Sequence, residues 1–292
     1  MNSRKQHLYS PLIALLLVGC VAGERRTTHI TRTFDATSIK RIELREVNGE
    51  IHVDAVSPNS VSLDAEVRSW GHPPDPKKEN QGYFETKIEG DTLVIGRKQS
   101  HHFSWFENDR LSIDYDLKVP PQVALEVRAV NGRVVSRGVN GETDVTTVNG
   151  LIDLECPGSN EVNIHTVNGR IEAKFDHDFS GASLRTVNGR VTAVLPSSAS
   201  FIGDFTQVNG DFEAAFPLNI HSHPGSRRVT GEVNGGQHEL KITTVNGDIK
   251  VDNGGGPAKP VAPSAAPSAA PSETPAAPAP PPPPPPPPAP VS

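Results

Sequence analysis

Three closely similar segments occupy the middle of the chain, and each is built around Val-Asn-Gly. They are Thr147-Val148-Asn149-Gly150-Leu151-Ile152, Thr166-Val167-Asn168-Gly169-Arg170-Ile171 and Thr186-Val187-Asn188-Gly189-Arg190-Val191. The tripeptide occurs nine times, beginning at Val47, Val130, Val139, Val148, Val167, Val187, Val208, Val233 and Val245. From Val130 through Val148, Val167 and Val187 to Val208, the intervals are 18, 19, 20 and 21 residues. Such near-constant spacing indicates an internal structural repeat.

Apolar and polar residues alternate on both sides of each copy. Val162 and Ile164 precede one copy, and Ile171, Ala173 and Phe175 follow it, with polar residues between them. A period of two predicts strands with one buried face. Because asparagine and glycine tolerate positive φ, each Asn-Gly is expected to form a sharp corner.

Two all-β architectures fit this pattern. Asn-Gly between alternating strands is typical of two-residue hairpins, which would give an antiparallel meander or sandwich. A spacing of about 20 residues favours a β-solenoid, with two short strands and two corners in each coil. Stacked coils would place each asparagine above the last, where the amides can form a hydrogen-bonded ladder. Since hairpins do not require the same tripeptide at every turn, the solenoid is the preferred prediction. Its predicted corner residues are Asn131, Gly132, Asn149, Gly150, Asn168, Gly169, Asn188, Gly189, Asn209, Gly210, Asn246 and Gly247.

The repeat is looser before residue 120, but alternation continues there. It predicts strands at residues 42–44, 50–53, 61–67 and 111–119, and a hairpin formed by 84–88 and 92–95. This half is expected to extend the same sheet and to cap the stack, since an open end would expose pairing edges.

The first twenty residues predict export. Arg4 and Lys5 precede an apolar run at 12–18 that is too short to span a bilayer permanently. The run ends in Leu17-Val18-Gly19-Cys20, which resembles the bacterial lipoprotein signal. The resemblance implies that Cys20 is acylated and becomes the mature N-terminus. Val21, where an aspartate would retain the protein, implies sorting to the outer membrane. Several acyl chains would anchor the protein stably to that membrane.

The predicted domain organisation has four parts. Residues 1–20 are the lipoprotein signal peptide, 21–34 an N-terminal linker and 35–253 the all-β repeat domain, with repeats clearest over 123–252. Residues 254–292 are almost entirely Pro, Ala and Ser after a short glycine run. Such a segment can bury little apolar area, so a disordered tail is expected.

The strand LSIDYDLKVP at 111–120, then VALEV at 123–127 and VNGRV at 130–134, resembles a bacterial family known as putative adhesins. The resemblance covers roughly residues 35–252. It implies an exported, β-solenoid-like domain, common in lipoproteins and membrane-anchored envelope proteins. It supplies no catalytic residues to carry over to this chain.

The residues that carry chemistry form no recognised catalytic or metal-binding pattern. His221 and His223 would share a strand face, and His101 and His102 precede Trp105, but neither group has carboxylates or cysteines to complete a metal site. No cofactor is therefore predicted, and Cys156 is expected to be a buried structural thiol. The net charge of -6 gives no basic surface for nucleic acid.

These features predict a non-enzymatic envelope lipoprotein that acts as a structural, adhesive or protein-binding surface module. Its expected partners are the membrane, through the lipid, and an envelope protein or surface glycan. One alternative is a periplasmic scaffold or sensor, and another is a polysaccharide-acting β-helix enzyme. Aromatic residues make up only 5% of the chain, which argues against an extended sugar-stacking groove. The aromatic loop at 101–106 is expected to be an end cap or a partner contact.

Overall fold

The computed structural model describes residues 26–69, 83–97, 111–156, 160–176, 179–223 and 226–254, with the backbone alone at 26, 219–223 and 226. These residues lie in one compact unit. They form nineteen strands and one short 3-10 helix at Ala36–Ser38, and they contain no α-helix. In this part of the chain, no helix is long and apolar enough to cross a membrane. The predicted signal peptide with Cys20, the predicted tail and the aromatic segment at 101–106 lie outside the described residues.

The strands alternate with short connections along the chain. The first nine are β1 Arg26–Asp35, β2 Arg41–Asn48, β3 Ile51–Asp54, β4 Ser60–Ser69, β5 Phe84–Glu89, β6 Thr92–Arg97, β7 Leu111–Lys118, β8 Ala124–Arg137 and β9 Thr143–Cys156. The others are β10 Val162–Asn168, β11 Ile171–Phe175, β12 Ala182–Asn188, β13 Val191–Val194, β14 Phe201–Asn209, β15 Phe212–Ala214, β16 Asn219–His223, β17 Ser226–Val233, β18 His238–Asn246 and β19 Ile249–Asp252. The strands predicted before residue 120 all match observed ones. The linker predicted at 21–34 is wrong from Arg26 onward, because β1 pairs there with β4.

The architecture is a β-solenoid, as the repeat predicts. Each coil has a strand before its corner and a strand after it, which we call the front and back strands. Front strands of neighbouring coils pair in parallel, and so do back strands, for example β10 with β12 and β11 with β13. β8 and β9 run through their corners without a break and pair along their whole length. The predicted alternative, antiparallel pairing, occurs only at the two ends.

The coils do not stack in the order of the sequence. β18 lies between β12 and β14, and β19 lies between β13 and β15, so the last coil of the chain is inserted before the preceding one. The other end repeats this arrangement, because β2 and β3 lie between the β6–β7 coil and β8. The expectation that each asparagine follows the last along the chain is therefore wrong at the β14–β19 end, where Asn246 comes before Asn209, while at the other end Asn48 still precedes Asn131. The stacking order is β6–β7, β2–β3, β8, β9, β10–β11, β12–β13, β18–β19 and β14–β15.

Antiparallel strands cover both ends of the stack. At one end β5 pairs with β6, while β4 pairs with β7 and is itself covered by β1. At the other end β17 pairs with β14, and β16 pairs with β17. These strands satisfy the main-chain groups that an open coil would expose.

One continuous apolar core fills the interior between front and back strands. Inward residues from most coils are Ile, Leu and Val, such as Leu44, Ile152 and Leu184, which are fully or almost fully buried. Phenylalanines replace them near the β14–β15 coil, where Phe201 forms T-shaped, edge-to-face contacts with Phe179 and Phe216, with ring centroids 6.2 and 5.2 Å apart. Their larger side chains fill the last coil beneath the β16–β17 hairpin.

Candidate functional site

Seven asparagines line up along one edge of the solenoid and join through their side-chain amides. In each contact Nδ2 of one asparagine donates to Oδ1 of the next at 2.8 to 2.9 Å. The ladder runs through Asn48, Asn131, Asn149, Asn168, Asn188, Asn246 and Asn209. Each inner amide uses one N–H and one lone pair in the ladder, so its second N–H and second lone pair remain available to solvent or a partner.

The glycine after each asparagine stacks on the glycine of the neighbouring coil with no space for a side chain. A Cβ built on Gly169 would lie 1.7 Å from the carbonyl oxygen of Gly150, and one on Gly189 would lie 1.7 Å from that of Gly169. Backbone conformation is not the common reason for glycine here, since Gly132 has φ of 152° whereas Gly150 and Gly169 do not have positive φ. None of the ladder asparagines has positive φ either. The expected positive φ is thus wrong for the ladder asparagines and for Gly150 and Gly169, whereas the other five ladder glycines have it. Close stacking against a neighbouring backbone is the feature that all seven glycines share.

Not every Val-Asn-Gly forms part of the ladder. Asn140 lies in the connection from β8 to β9, where its backbone N–H donates to the carbonyl of Pro121. Asn234 ends β17 with φ of 49°, and its amide donates to the carbonyls of Ser197 and Ala199. The twelve predicted corner residues, by contrast, all lie in the ladder and its glycine stack, together with Asn48 and Gly49.

An exposed row of valines runs beside the asparagine ladder. The valine of each ladder tripeptide points outward, and Val130, Val148, Val208 and Val245 are 38 to 44% exposed. Leu151, on the other side of the glycines, is 45% exposed. We call the parallel rows of valines and asparagine amides the corner edge. It offers a linear apolar strip next to a regular series of amides.

Arginines occupy the first outward position of several back strands. Arg133 donates to Asp153 at 3.1 Å, and Arg190 donates to Asp248 at 2.8 Å. The hydrogen bonds from Arg190 and from the backbone N–H of Asp211 hold the pKa of Asp248 below its ordinary value. Arg170 lies between them in the stack, exposed and without a polar partner among the described residues. The back side of the corner edge therefore carries arginines in the middle of the stack and carboxylates towards its ends, at Glu50, Asp248 and Asp211.

Beneath the corners, the residue two places before each asparagine points inward and is buried. This inner row consists of Glu46, Ala129, Thr147, Thr166, Thr186, Thr244 and Gln207. The hydroxyls of Thr147, Thr166 and Thr186 are buried without a hydrogen-bond partner. The shared threonine of the three central repeats was the sequence signal for this row, which the alternation alone does not single out.

Sequence reasoning also missed a buried ionic cluster at the first coils. The side chain of Glu46 is fully buried, and it accepts hydrogen bonds from Arg97 Nε at 2.8 Å and from the Tyr115 hydroxyl at 3.1 Å. Burial, and then the Glu46 charge, raise the pKa of Tyr115. Arg97 also donates to the carbonyl of Leu111 at 2.8 Å. Because Arg97 ends β6 and Leu111 begins β7, this contact fastens the two ends of the connection at 98–110.

The remaining candidates for chemistry are inert or fall outside the described residues. Cys156 is buried, and burial together with the Asp176 charge raises its pKa to about 12. Such a thiol is structural, as expected. Among the described side chains, no three of His, Cys, Asp and Glu gather closely enough to hold a metal ion. The predicted histidine pairs at 101–102 and 221–223 lie outside those side chains.

A family model for Toastrack DUF4097 matches residues 33–252. The chain belongs to the Toastrack family. The match begins near the end of β1 and extends to the end of β19, so the repeat lies within one Toastrack domain. No curated protein matches the Toastrack chain described here.

Solved structures resemble this Toastrack domain at low identity. A "putative cell adhesion protein" from Clostridium sporogenes has a TM-score of 0.42 and 9% identity, covering 78% of this chain and 99% of that one. A "putative adhesin" from Bacteroides fragilis has a TM-score of 0.30 and 10% identity, covering 76% and 96%. A "putative lipid binding protein" from Parabacteroides distasonis has a TM-score of 0.24 and 12% identity, covering 76% and 96%. All three TM-scores are below 0.5, so the function proposed below does not depend on them.

Proposed function

We propose that this protein is a non-enzymatic, lipid-anchored module of the bacterial envelope that binds a protein or surface glycan along its corner edge. Anchoring at Cys20, in the outer membrane, is part of the proposal and is supported by the lipoprotein-like sequence at 17–20. The observation that carries the binding role is the unbroken amide ladder beside exposed valines.

The corner edge has the dimensions and chemistry of an interaction surface. Neighbouring strands are about 4.8 Å apart, so six intervals give a straight edge of about 29 Å. An exposed apolar strip of this kind favours contact with a partner, and the spare amide groups add directional hydrogen bonds. The glycine stack and buried inner row hold these groups in place, so little ordering entropy would be lost on binding.

Site-specific photocrosslinking in living cells tests the proposal. A photoreactive amino acid replaces Val148 on the corner edge, and in a matched variant it replaces Thr192, an outward residue on the back strand β13. We expect the Val148 variant to capture a defined envelope protein or a glycan, and the Thr192 variant to capture little. Equal labelling from both positions, or none from Val148, would contradict binding through the corner edge.

The enzymatic alternative rests on one specific pair of carboxylates. Asp153 and Glu172 occupy paired positions on neighbouring back strands, both directed outward. Their Cα atoms are thus about 4.8 Å apart, which can bring two carboxylates near the separation used by retaining glycosidases. However, Asp153 is already bound by Arg133. Cleavage of an envelope glycan by the wild type, abolished by Asp153→Asn and by Glu172→Gln, would establish the enzyme instead.

A further inference from the structure

The outer side of the front strands carries a slot of about 420 Å³ across three neighbouring coils. Its floor is formed at the start of β12 by Gly181, which has no side chain, and by the small residues Ala182 and Ser183. Longer side chains rise on both sides of this floor, from the β10 coil and from the β18 coil. The slot exists because small residues of the middle coil lie between larger residues of its two neighbours.

Opposite charges occupy the two ends of the slot. Glu161 and Glu239 flank Gly181 at one end, because each lies just before the paired residues Val162, Ala182 and Leu240. Lys241 lies two residues further along the strand direction, and Arg185 lies four residues beyond Gly181. At about 3.3 Å per residue, the two cations are about 7 and 13 Å from the acidic end. The slot therefore has a negative end and a positive end, separated along the strands.

These charges are not used within the protein. The side chains of Glu161, Glu239, Lys241 and Arg185 form no ion pair or hydrogen bond with any described residue. By contrast, the exposed Arg228 does form an ion pair with Asp204. The hydroxyl of Ser180, which also lines the slot, is buried without a hydrogen-bond partner. Two carboxylates and two cations thus face one cavity with their binding capacity free.

From this geometry we propose that the slot binds a short extended peptide of three or four residues with a free amino end and a free carboxyl end. Glu161 and Glu239 bind the ammonium group, and Arg185 and Lys241 bind the carboxylate. An extended tripeptide spans about 10 Å, which lies between the two separations available in the slot. A single amino acid is too short to reach both ends. The inference rests on the proposed function as a binding module and adds a ligand class at a second surface, away from the corner edge.

Titration calorimetry with the full-length chain in detergent tests this assignment. The probe is tri-alanine with both ends free, and the controls are N-acetyl-tri-alanine and tri-alanine amide, each of which lacks one terminal charge. We expect binding of the free tripeptide and at least about tenfold weaker binding of each blocked form, because each loses a charged hydrogen-bonding contact. No binding of the free tripeptide, or equal binding of the blocked forms, would overturn the proposal.

Matched variants locate the binding to the slot. Ser183→Leu fills the floor and should abolish binding, whereas Thr192→Leu places the same side chain outward on the back of the same coil and should leave it unchanged. Replacing Glu161 and Glu239 together by glutamine should weaken the binding of the free tripeptide but not the binding of its N-acetyl form. Thermal unfolding of each variant checks that the fold is kept. If peptide binding fails while Val148 still crosslinks to a partner, the assignment of a peptide ligand to the slot is wrong and the proposed function stands.

Discussion

The side-chain amide of Asn246 donates a hydrogen bond to Asn188 at 2.9 Å, although 58 residues of sequence separate them. Asn209, which is much closer to Asn188 along the chain, bonds to Asn246 instead. The last coil is thus held on both sides by coils that precede it in the sequence. Parallel strand pairs from β18 to β12 and to β14 make the same connection through the backbone.

Removing the last coil should therefore unfold the end of the stack. A chain that stops after Gly236 leaves β14 without its parallel neighbour, so we expect rapid proteolysis of residues 201–233 while residues 41–194 stay resistant. A chain that stops after Gly254 keeps all described strands and is the control, with the resistance of the full chain. Limited proteolysis followed by mass spectrometry measures both. Lasting resistance of 201–233 in the shorter chain would show that β14–β17 is stable without the last coil.

Gly169→Ala should destabilise the fold strongly through a steric clash. The new Cβ would meet the carbonyl oxygen of Gly150 at 1.7 Å, so the two coils must separate locally. We expect a loss of at least about 3 kcal/mol in the free energy of unfolding, measured by chemical denaturation. Gly96→Ala is the matched control, because Gly96 also lacks positive φ and its new Cβ would come no nearer than 3.4 Å to Arg45 Cβ. Because Gly→Ala by itself restricts the unfolded chain and stabilises the fold, a similar loss in both variants would show that the clash with Gly150 is not the cause.

Asn168→Ala should break the amide ladder in its middle. Asn168 donates to Asn149 and accepts from Asn188, so two exposed hydrogen bonds are lost, at a cost of about 1–2 kcal/mol in unfolding free energy. Asn209 ends the ladder and takes part in only one of its bonds, so Asn209→Ala should cost about half as much. Equal free energies of unfolding for wild type and both variants in urea denaturation would show that hydrogen bonds to water replace those of the amides without loss of stability.

The buried thiol predicts a specific loss of stability at alkaline pH. The pKa of Cys156 is raised from 9.0 to about 12 in the folded chain. Because the pKa is higher in the folded chain, the buried neutral thiol contributes its full share of the free energy of unfolding below pH 9. This contribution is lost as the pH rises towards 12, at up to about 1.4 kcal/mol per pH unit. The difference in unfolding free energy between wild type and Cys156→Ala should shrink across this range. A difference that stays constant would place the thiol in contact with solvent.

Lipid anchoring predicts that Cys20→Ala releases the protein from the membrane. Wild type should fractionate with membranes and incorporate labelled palmitate, whereas the variant should do neither. Cys156→Ala is the control for loss of a cysteine, and it should stay in the membrane fraction. Protease treatment of intact cells then shows whether the wild-type domain faces outward. Membrane association of Cys20→Ala would contradict the anchor.

The sequence predicts the coil, its strands and its corners because these depend on local patterns. Alternation defines which residues of β10 and β11 point inward, and the shared tripeptide marks the ladder. The insertion of β18 between β12 and β14 is not predictable from these patterns, because the copies at Val187, Val208 and Val245 are equivalent locally. The stacking order depends instead on which coils each connection is long enough to join. It also depends on the β16–β17 hairpin, which reverses the chain direction before β18.

Functional features were predictable to a smaller extent. The Glu46–Arg97 ion pair joins residues 51 positions apart, and nothing near either residue marks it in the sequence. The slot depends equally on distant residues, since Gly181 and Ser183 are ordinary small residues until Glu161 and Glu239 are placed beside them. The amide ladder was foreseeable because every one of its members repeats the same three letters.

The insertion of both terminal coils limits how members of this fold can change length. A repeat added at either terminus would have to enter a position already closed by two neighbours. Duplication inside β8–β13, where sequence order and stacking order agree, adds a coil without disturbing either end. Lengthened relatives should therefore carry their extra copies in the middle of the gene.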